Sequence, residues 1–312
     1  MHVNFYLANH SGNSFVLLED VVRPIVVGLQ EGGHHVVTFG TTMVMAPAVN
    51  VFVEFFRDGQ LVDTLLSLKA QLKDQFLFGI VCTEDLEDPY IWQLSGAARR
   101  DNLLRLLPAA DFLWPIVPTA SYENIYPRER IAYVRYGHSL KLRPVSGPTA
   151  AAERDLDVLI YGSPYKYRIP VAERLHALGL RCDFTINTTR GVLEGWPRYL
   201  ADEVLSRAKV VVDMRRGTEV RYASVTRIVA AVHTGSAVVA EAFDTSEMAS
   251  VYRYTTSVPY DQIADACQRL IASGDYVDRG LRARELFASE TSMRDNMAAA
   301  VNLAVFQPLL GR

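Results

Sequence analysis

The residues with chemistry to offer sit just past short apolar runs. Asn9-His10-Ser11-Gly12-Asn13-Ser14 follows the first such run. An imidazole titrates near neutrality, so His10 is a candidate general base, and the small residues Gly12 and Asn13 suit a loop that closes on a substrate. The same stretch also fits a plain turn in which Asn13 or Ser14 caps the next helix. Further on, Cys82-Thr-Glu-Asp-Leu-Glu-Asp-Pro89 places four carboxylates in five positions. Glu84 and Asp85 are candidates for a base or for holding an acceptor's hydroxyls, while the cluster equally suits the positive end of a following helix.

The second half offers cations. Tyr161-Gly-Ser-Pro-Tyr-Lys-Tyr-Arg168 follows an apolar run. Gly162 and Ser163 permit close backbone approach to a ligand, the start of the next helix favours an anion, and Lys166 and Arg168 add donors. Asp213-Met-Arg-Arg-Gly217 ends another run, and Arg227 lies near the start of the following helical stretch. Arg215, Arg216 and Arg227 therefore fall at the same sheet edge as Lys166 and Arg168, and together they read as an anion site. The chain lacks a Gly-x-Gly-x-x-Gly after a strand and lacks Gly-x-x-x-x-Gly-Lys-Ser/Thr, which argues against nicotinamide or flavin binding and against a P-loop ATPase.

Alternating strands and helices must position these loops. Val3 to Leu7, His35 to Phe39, Val49 to Phe55, Phe76 to Val81, Phe112 to Val117 and Ile131 to Tyr136 read as strands, with helices over Phe15 to Gln30 and Gly59 to Lys73. A second series has strands at Leu156 to Tyr161, Arg181 to Phe184, Val210 to Asp213, Ala237 to Glu241 and near Val258. Its helices are expected over Ile169 to Leu178, Arg221 to His233 and Asp261 to Ser273. The pattern is that of two Rossmann-like, doubly wound α/β domains facing a cleft, with ligands beyond the carboxyl ends of the strands. The expected division is a first domain over 1–140, a linker over 141–155 that carries two prolines and a glycine, and a second domain over 156–290. A C-terminal helix within 291–312 is expected to pack back on the first domain, with Met293 to Val305 helical.

Composition narrows the class. Of 312 residues, 32 are Lys or Arg and 35 Asp or Glu, a net charge of −3 that disfavours a general nucleic-acid binder. Hydrophobic residues at 49% can fill a sizeable core. Three cysteines far apart fit neither a disulfide framework nor a clustered zinc site, and the expected compartment is the reducing cytoplasm. The sequence has no signal-like start and no apolar run long enough for a membrane span.

Leu205-Ser-Arg-Ala-Lys-Val-Val-Val-Asp213, Thr226-Arg-Ile, Gly235-Ser-Ala-Val-Val-Ala-Glu241 and Val258-Pro-Tyr-Asp-Gln-Ile263 resemble the nucleotide-binding half of GT-B glycosyltransferases. The likeness is greatest to the branch that includes spore-coat-maturation-like, group 1 transferases, and it covers about Asp155 to Met293. It implies a nucleotide diphosphate sugar held by the second half and an acceptor held by the first. By the same resemblance Gly162 and Ser163 match the glycine loop near the diphosphate, Arg227 the helix arginine, and Glu241 the acidic residue after the Val-Val strand. Ala230 stands where the family commonly has a ribose-binding glutamate, and Arg227 follows Glu219 where many retaining members have a second glutamate. Asp155-Leu-Asp157 resembles a metal-binding Asp-x-Asp pair but precedes its strand, so no metal site is expected there. The expectation is a metal-independent glycosyltransferase without a cofactor. The alternatives are a non-catalytic nucleotide- or sugar-binding protein of the same fold and a sugar-nucleotide epimerase.

Overall fold

The structure is a computed structural model that describes residues 1–7, 13–88, 97–117, 119–144, 153–189, 192–195, 204–218, 220, 222, 224–242 and 249–310. The chain divides into two compact units. Met1–Phe15, Val21–Tyr136 and Met293–Arg312 belong to the first, and Val16–Asp20 and Gly137–Ser292 to the second.

In the first unit β1 (His2–Tyr6), β2 (His35–Gly40), β3 (Ala48–Val53), β4 (Leu77–Cys82) and β5 (Phe112–Pro115) form one sheet in the order β2-β1-β3-β4-β5. Every pairing is parallel. All residues of β3 and β4 are buried, as expected of strands covered on both faces. The helices α1 (Asn13–Glu31), α2 (Gly59–Leu72) and α3 (Ala97–Leu106) supply the connections. Asp58 starts α2 by accepting the Gln60 N–H at 2.8 Å, and Val62 and Leu65 join Phe52, Phe78 and Leu103 in the core.

Ile131 to Tyr136, expected as a strand, is a correction. Only Ile131 bridges to β5, although the Ala132 and Val134 N–H groups donate to Leu113 and Pro115 carbonyls at 3.0 and 2.8 Å. The return bond would need an N–H at Pro115, which proline lacks, so the ladder stays one-sided. Past Met293, a helix over Met293–Ala300 and a short turn bring Phe306 against Phe112, with ring centroids 4.7 Å apart. The Trp114 indole N–H donates to the Ala300 carbonyl at 3.3 Å.

In the second unit β6 (Leu156–Ile160), β7 (Cys182–Phe184), β10 (Ala208–Asp213), β11 (Ala237–Glu241) and β12 (Thr256–Val258) form a parallel sheet in the order β12-β11-β10-β6-β7. Between β7 and β10 lies a small antiparallel pair, β8 (Ile186–Thr189) and β9 (Val192–Gly195). Renumbered within its unit, this sheet has the same strand order as the first, with the turn of direction between β6 and β10. Its helices are α4 (Ile169–Ala177), α5 (Val225–Thr234), α6 (Ile263–Ser273) and α7 (Tyr276–Glu290). Gly235 ends α5 at φ 71°, and Gly274 ends α6 at φ 78°, both in the left-handed region that favours glycine.

Helix α7 lies close against the start of β11 at Gly280. A Cβ there would strike the Gly235 carbonyl oxygen and come within 2.9 Å of the Ala237 nitrogen. Alanine favours a helix over glycine by about 1 kcal/mol, but these neighbours are backbone and cannot yield cheaply. Gly280→Ala should therefore destabilise the protein by about 1–2 kcal/mol net. Urea unfolding reads this as a lower midpoint at unchanged slope; an unchanged or raised midpoint would show that the helix stands off from β11.

Candidate functional site

Where strand order reverses in a doubly wound sheet, the loops on either side leave in opposite directions and open a crevice. In the second unit the loops at that point follow β6 and β10. The first turns at Gly162, whose φ of 124° favours glycine. Its N–H donates to the Thr185 hydroxyl at 2.7 Å. A Cβ on Gly162 would collide with the guanidinium of Arg168.

Arg168 joins the two loops. It is 1% exposed, and it donates from Nη1 to Ser163 O at 3.2 Å, from Nη2 to Met214 O at 2.9 Å and from Nε to Arg215 O at 3.1 Å. Burial first, and then the neighbouring Arg227 charge, pull this guanidinium down to about 9. Its role in the structure is to position the loops.

Two buried carboxylates stand at the ends of β10 and β11. Glu241 takes hydrogen bonds on Oε1 from the Arg215 guanidinium at 2.8 and 2.5 Å and from the Tyr167 hydroxyl at 2.7 Å. Its Oε2 accepts the Arg215 backbone N–H at 3.0 Å. Burial, followed by the Glu241 bond and charge, raises the Tyr167 phenol. The Tyr167 ring lies 4.4 Å from that of Tyr260. Asp213 accepts the Ser224 N–H on Oδ2 at 3.3 Å, and its Oδ1 lies 3.5 Å from Nη1 of Arg227. Burial raises the Asp213 carboxyl, against the pull of Arg227 and Arg168. Ser224 precedes α5 in an extended conformation and so directs the helix start towards β10. Lys166 is exposed, and Arg216 and Arg227 are half-buried. Lys166, Arg168, Arg215, Arg216 and Arg227 outnumber the two carboxylates, and a dianion suits that balance.

The carboxylate cluster of the first unit is built into its backbone. Asp85 is buried and accepts from the Glu87 N–H at 3.1 Å and the Thr119 hydroxyl at 3.2 Å. The Glu84 carbonyl accepts from the Tyr122 hydroxyl at 3.0 Å, and the Glu84 side chain is half-buried. Beside them the sequence reading missed Glu54, a buried carboxylate just past β3. It meets Arg99 at 2.7 Å, Tyr122 at 3.0 Å and the Thr83 hydroxyl at 2.5 Å. Burial raises the Glu54 carboxyl, and Arg99 opposes that. His10 and Gly12 lie outside the described residues, and Asn13 is described only as the first residue of α1. Asp155 and Asp157 pair with Arg207 at 2.5 Å and Lys209 at 2.6 Å. Among the described residues no three His, Cys, Asp or Glu side chains are grouped to hold a metal ion, and no helix is long and apolar enough to cross a membrane.

No family model matches the sequence, and no curated protein matches it. Solved structures share its fold. The trehalose-6-phosphate structure from E. coli bound with UDP-2-fluoro glucose superposes with a TM-score of 0.55 at 11% identity, over 92% of this chain and 77% of that one. Anabaena HepE in complex with UDP-glucose gives 0.54 at 11% identity, over 96% and 98%. An alpha-glucosyltransferase in complex with UDP-glucose and DNA containing an abasic site gives 0.55 at 10%, over 93% and 95%. The likeness is one of fold: two α/β domains on parallel five-stranded sheets with flanking helices, as in GT-B glycosyltransferases.

The loop lock can be tested without any ligand. Arg168→Met should lower stability by about 3 kcal/mol, because the Ser163, Met214 and Arg215 carbonyls lose their donors together. Arg168→Lys should recover a minor part, since one ammonium cannot reproduce the fork. Guanidinium unfolding midpoints equal to that of the wild type would show that the carbonyls do not depend on Arg168.

Proposed function

We propose that the protein transfers a sugar from a nucleotide diphosphate sugar to a hydroxyl-bearing acceptor, with the donor diphosphate held where β6 and β10 diverge. The observation that carries this reading is the gathering of cations around the Gly162 loop and the start of α5, at the carboxyl end of the sheet. The bound UDP-sugars of the fold's neighbours support it.

In this reading Arg168 fixes the shape of the phosphate loop. The Ser163 backbone N–H, with Lys166 and Arg227, takes the diphosphate, while Glu241 holds Arg215 in place. As the glycosidic bond to the leaving nucleoside diphosphate breaks, negative charge grows on the phosphate oxygen, and these fixed donors stabilise it without a metal. The acceptor oxygen forms the new bond to the sugar carbon. If the sugar carbon inverts, the acceptor's proton passes to a base of the first unit, drawn from His10, Glu84 and Asp85. The three free cysteines, two of them buried, suit the reducing cytoplasm.

A thermal-shift panel of nucleoside diphosphates and their sugars tests the reading, because saturation at a hundred times the dissociation constant raises stability by about 2.7 kcal/mol. No stabilisation by any of them would end it, and binding without slow nucleoside diphosphate release would favour a non-catalytic protein. Arg227→Ala should weaken nucleoside diphosphate binding by about 1.5–3 kcal/mol, with partial recovery in Arg227→Lys. A chelator should leave binding unchanged. Calorimetry showing unaltered affinity in Arg227→Ala, or full dependence on a divalent ion, would remove the site.

The base is tested separately. Among His10→Ala, Glu84→Gln and Asp85→Asn, the variant lacking the true base should turn over about 100-fold more slowly with little change in donor affinity. Three variants of wild-type turnover would exclude all three residues.

A further inference from the structure

The two carboxylates at the head of the second sheet are not equivalent. Glu241 uses both oxygens on Arg215 and Tyr167. Glu54 of the first unit is likewise bonded through both oxygens. Asp213 is 1% exposed and uses only Oδ2, on the Ser224 N–H. Among the described residues, its Oδ1 is the one buried carboxylate oxygen without a hydrogen bond. Leaving such an acceptor without a hydrogen bond costs the desolvation of the group. A buried group in that state calls for an explanation from function.

We propose that Asp213 Oδ1 accepts a hydrogen bond from a hydroxyl of the bound sugar nucleotide, which orients the ligand with its diphosphate towards the β6 loop and a hydroxyl-bearing ring at the end of β10. The proposal rests on the donor site described above and adds the direction in which the ligand lies. Three observations support it. Asp213 is the last residue of β10, beside β6 at the point where the strand order reverses. An ionised carboxylate only accepts, so its natural partner is a donor such as a hydroxyl, whereas a phosphate oxygen would meet like charge in a poorly solvated place. Arg227 lies 3.5 Å from Oδ1 with its side chain 27% exposed. It therefore helps to keep Asp213 ionised while remaining open to a phosphate, and one guanidinium spans the boundary between the two parts of the ligand.

The test compares ligands that share phosphates but differ in hydroxyls. Inorganic pyrophosphate, the diphosphates UDP, GDP and ADP, and the donors UDP-glucose, GDP-glucose and ADP-glucose are titrated by calorimetry into the wild type, Asp213→Asn and Asp213→Ala. In Asp213→Asn the amide oxygen remains to serve the Ser224 N–H, so the other position changes from acceptor to donor. The expected result is a loss of about tenfold or more for the best-bound sugar nucleotide. Pyrophosphate should bind as in the wild type or more tightly, which also shows that the variant site is folded. A loss shared by the free diphosphate places the hydroxyl on the ribose, and a loss confined to the donor places it on the transferred sugar. Unchanged affinities in both variants, or an equal loss for pyrophosphate, would overturn the proposal and leave the donor site standing. A wild type that binds none of these ligands would overturn both.

Discussion

The second unit depends on one buried guanidinium. Arg168 bonds to carbonyls of both loops at the point where β6 and β10 part. A flexible pair of loops would lose entropy on closing round a phosphate, at about 1–2 kcal/mol per residue fixed. Here that ordering is done during folding, by a side chain that is almost wholly buried. Gly162 fits the same constraint, since its φ favours glycine and a Cβ there would strike the guanidinium. Thr185 completes the arrangement by accepting the Gly162 N–H from the end of β7.

Among the described residues, the two units differ in how the arginines at their strand ends are paired. The first unit also buries an arginine there: Arg99 lies over the Phe55 ring at 3.9 Å and pairs with Glu54 at 2.7 Å. A buried pair of this kind contributes little net charge and needs its hydrogen bonds complete, which Thr83 and Tyr122 provide. Arg168 instead faces neutral carbonyls, so its charge is not cancelled within the bonds it makes. Arg215 is cancelled by Glu241, and Arg227 is held only loosely near Asp213. Arg227 is therefore neither saturated by backbone carbonyls, as Arg168 is, nor held closely by a carboxylate, as Arg99 and Arg215 are.

The sheet was readable in the sequence because strands buried on both faces are largely apolar, as in Val51 to Val53 and Val210 to Val212. The antiparallel pair β8 and β9 was not, for Ile186-Asn-Thr-Thr189 has no apolar run to mark it. Helix α7 also escaped notice, since its buried contacts are the small residues Gly280 and Ala283 and Phe287 alone is large. At the site, residue type and strand-end position identified the loops. They did not distinguish Arg168, which bonds to backbone, from Arg227, which stays half-buried. Nor did they mark Thr185, Tyr167 or Glu54, whose partners are 23, 74 and 45 residues away in the chain. Such pairings are set by the strand order, and the order 2-1-3-4-5 within each unit is a property of the packed sheet and not of any local stretch.

That separation explains how identities of 10 to 11% coexist with coverage above nine-tenths of this chain in the solved structures discussed above. Apolar runs of adequate size and correct period suffice to rebuild the sheets, so selection on the fold constrains sequence weakly. The loops at the strand ends are constrained instead by the bonds their side chains make. A carboxylate at the end of β11 is bound into an arginine and a tyrosine, while the carboxylate at the end of β10 has an oxygen left over. The fold thus brings these two carboxylates to the ends of adjacent strands, and the loops decide how fully each is bonded: both oxygens of Glu241, one of Asp213.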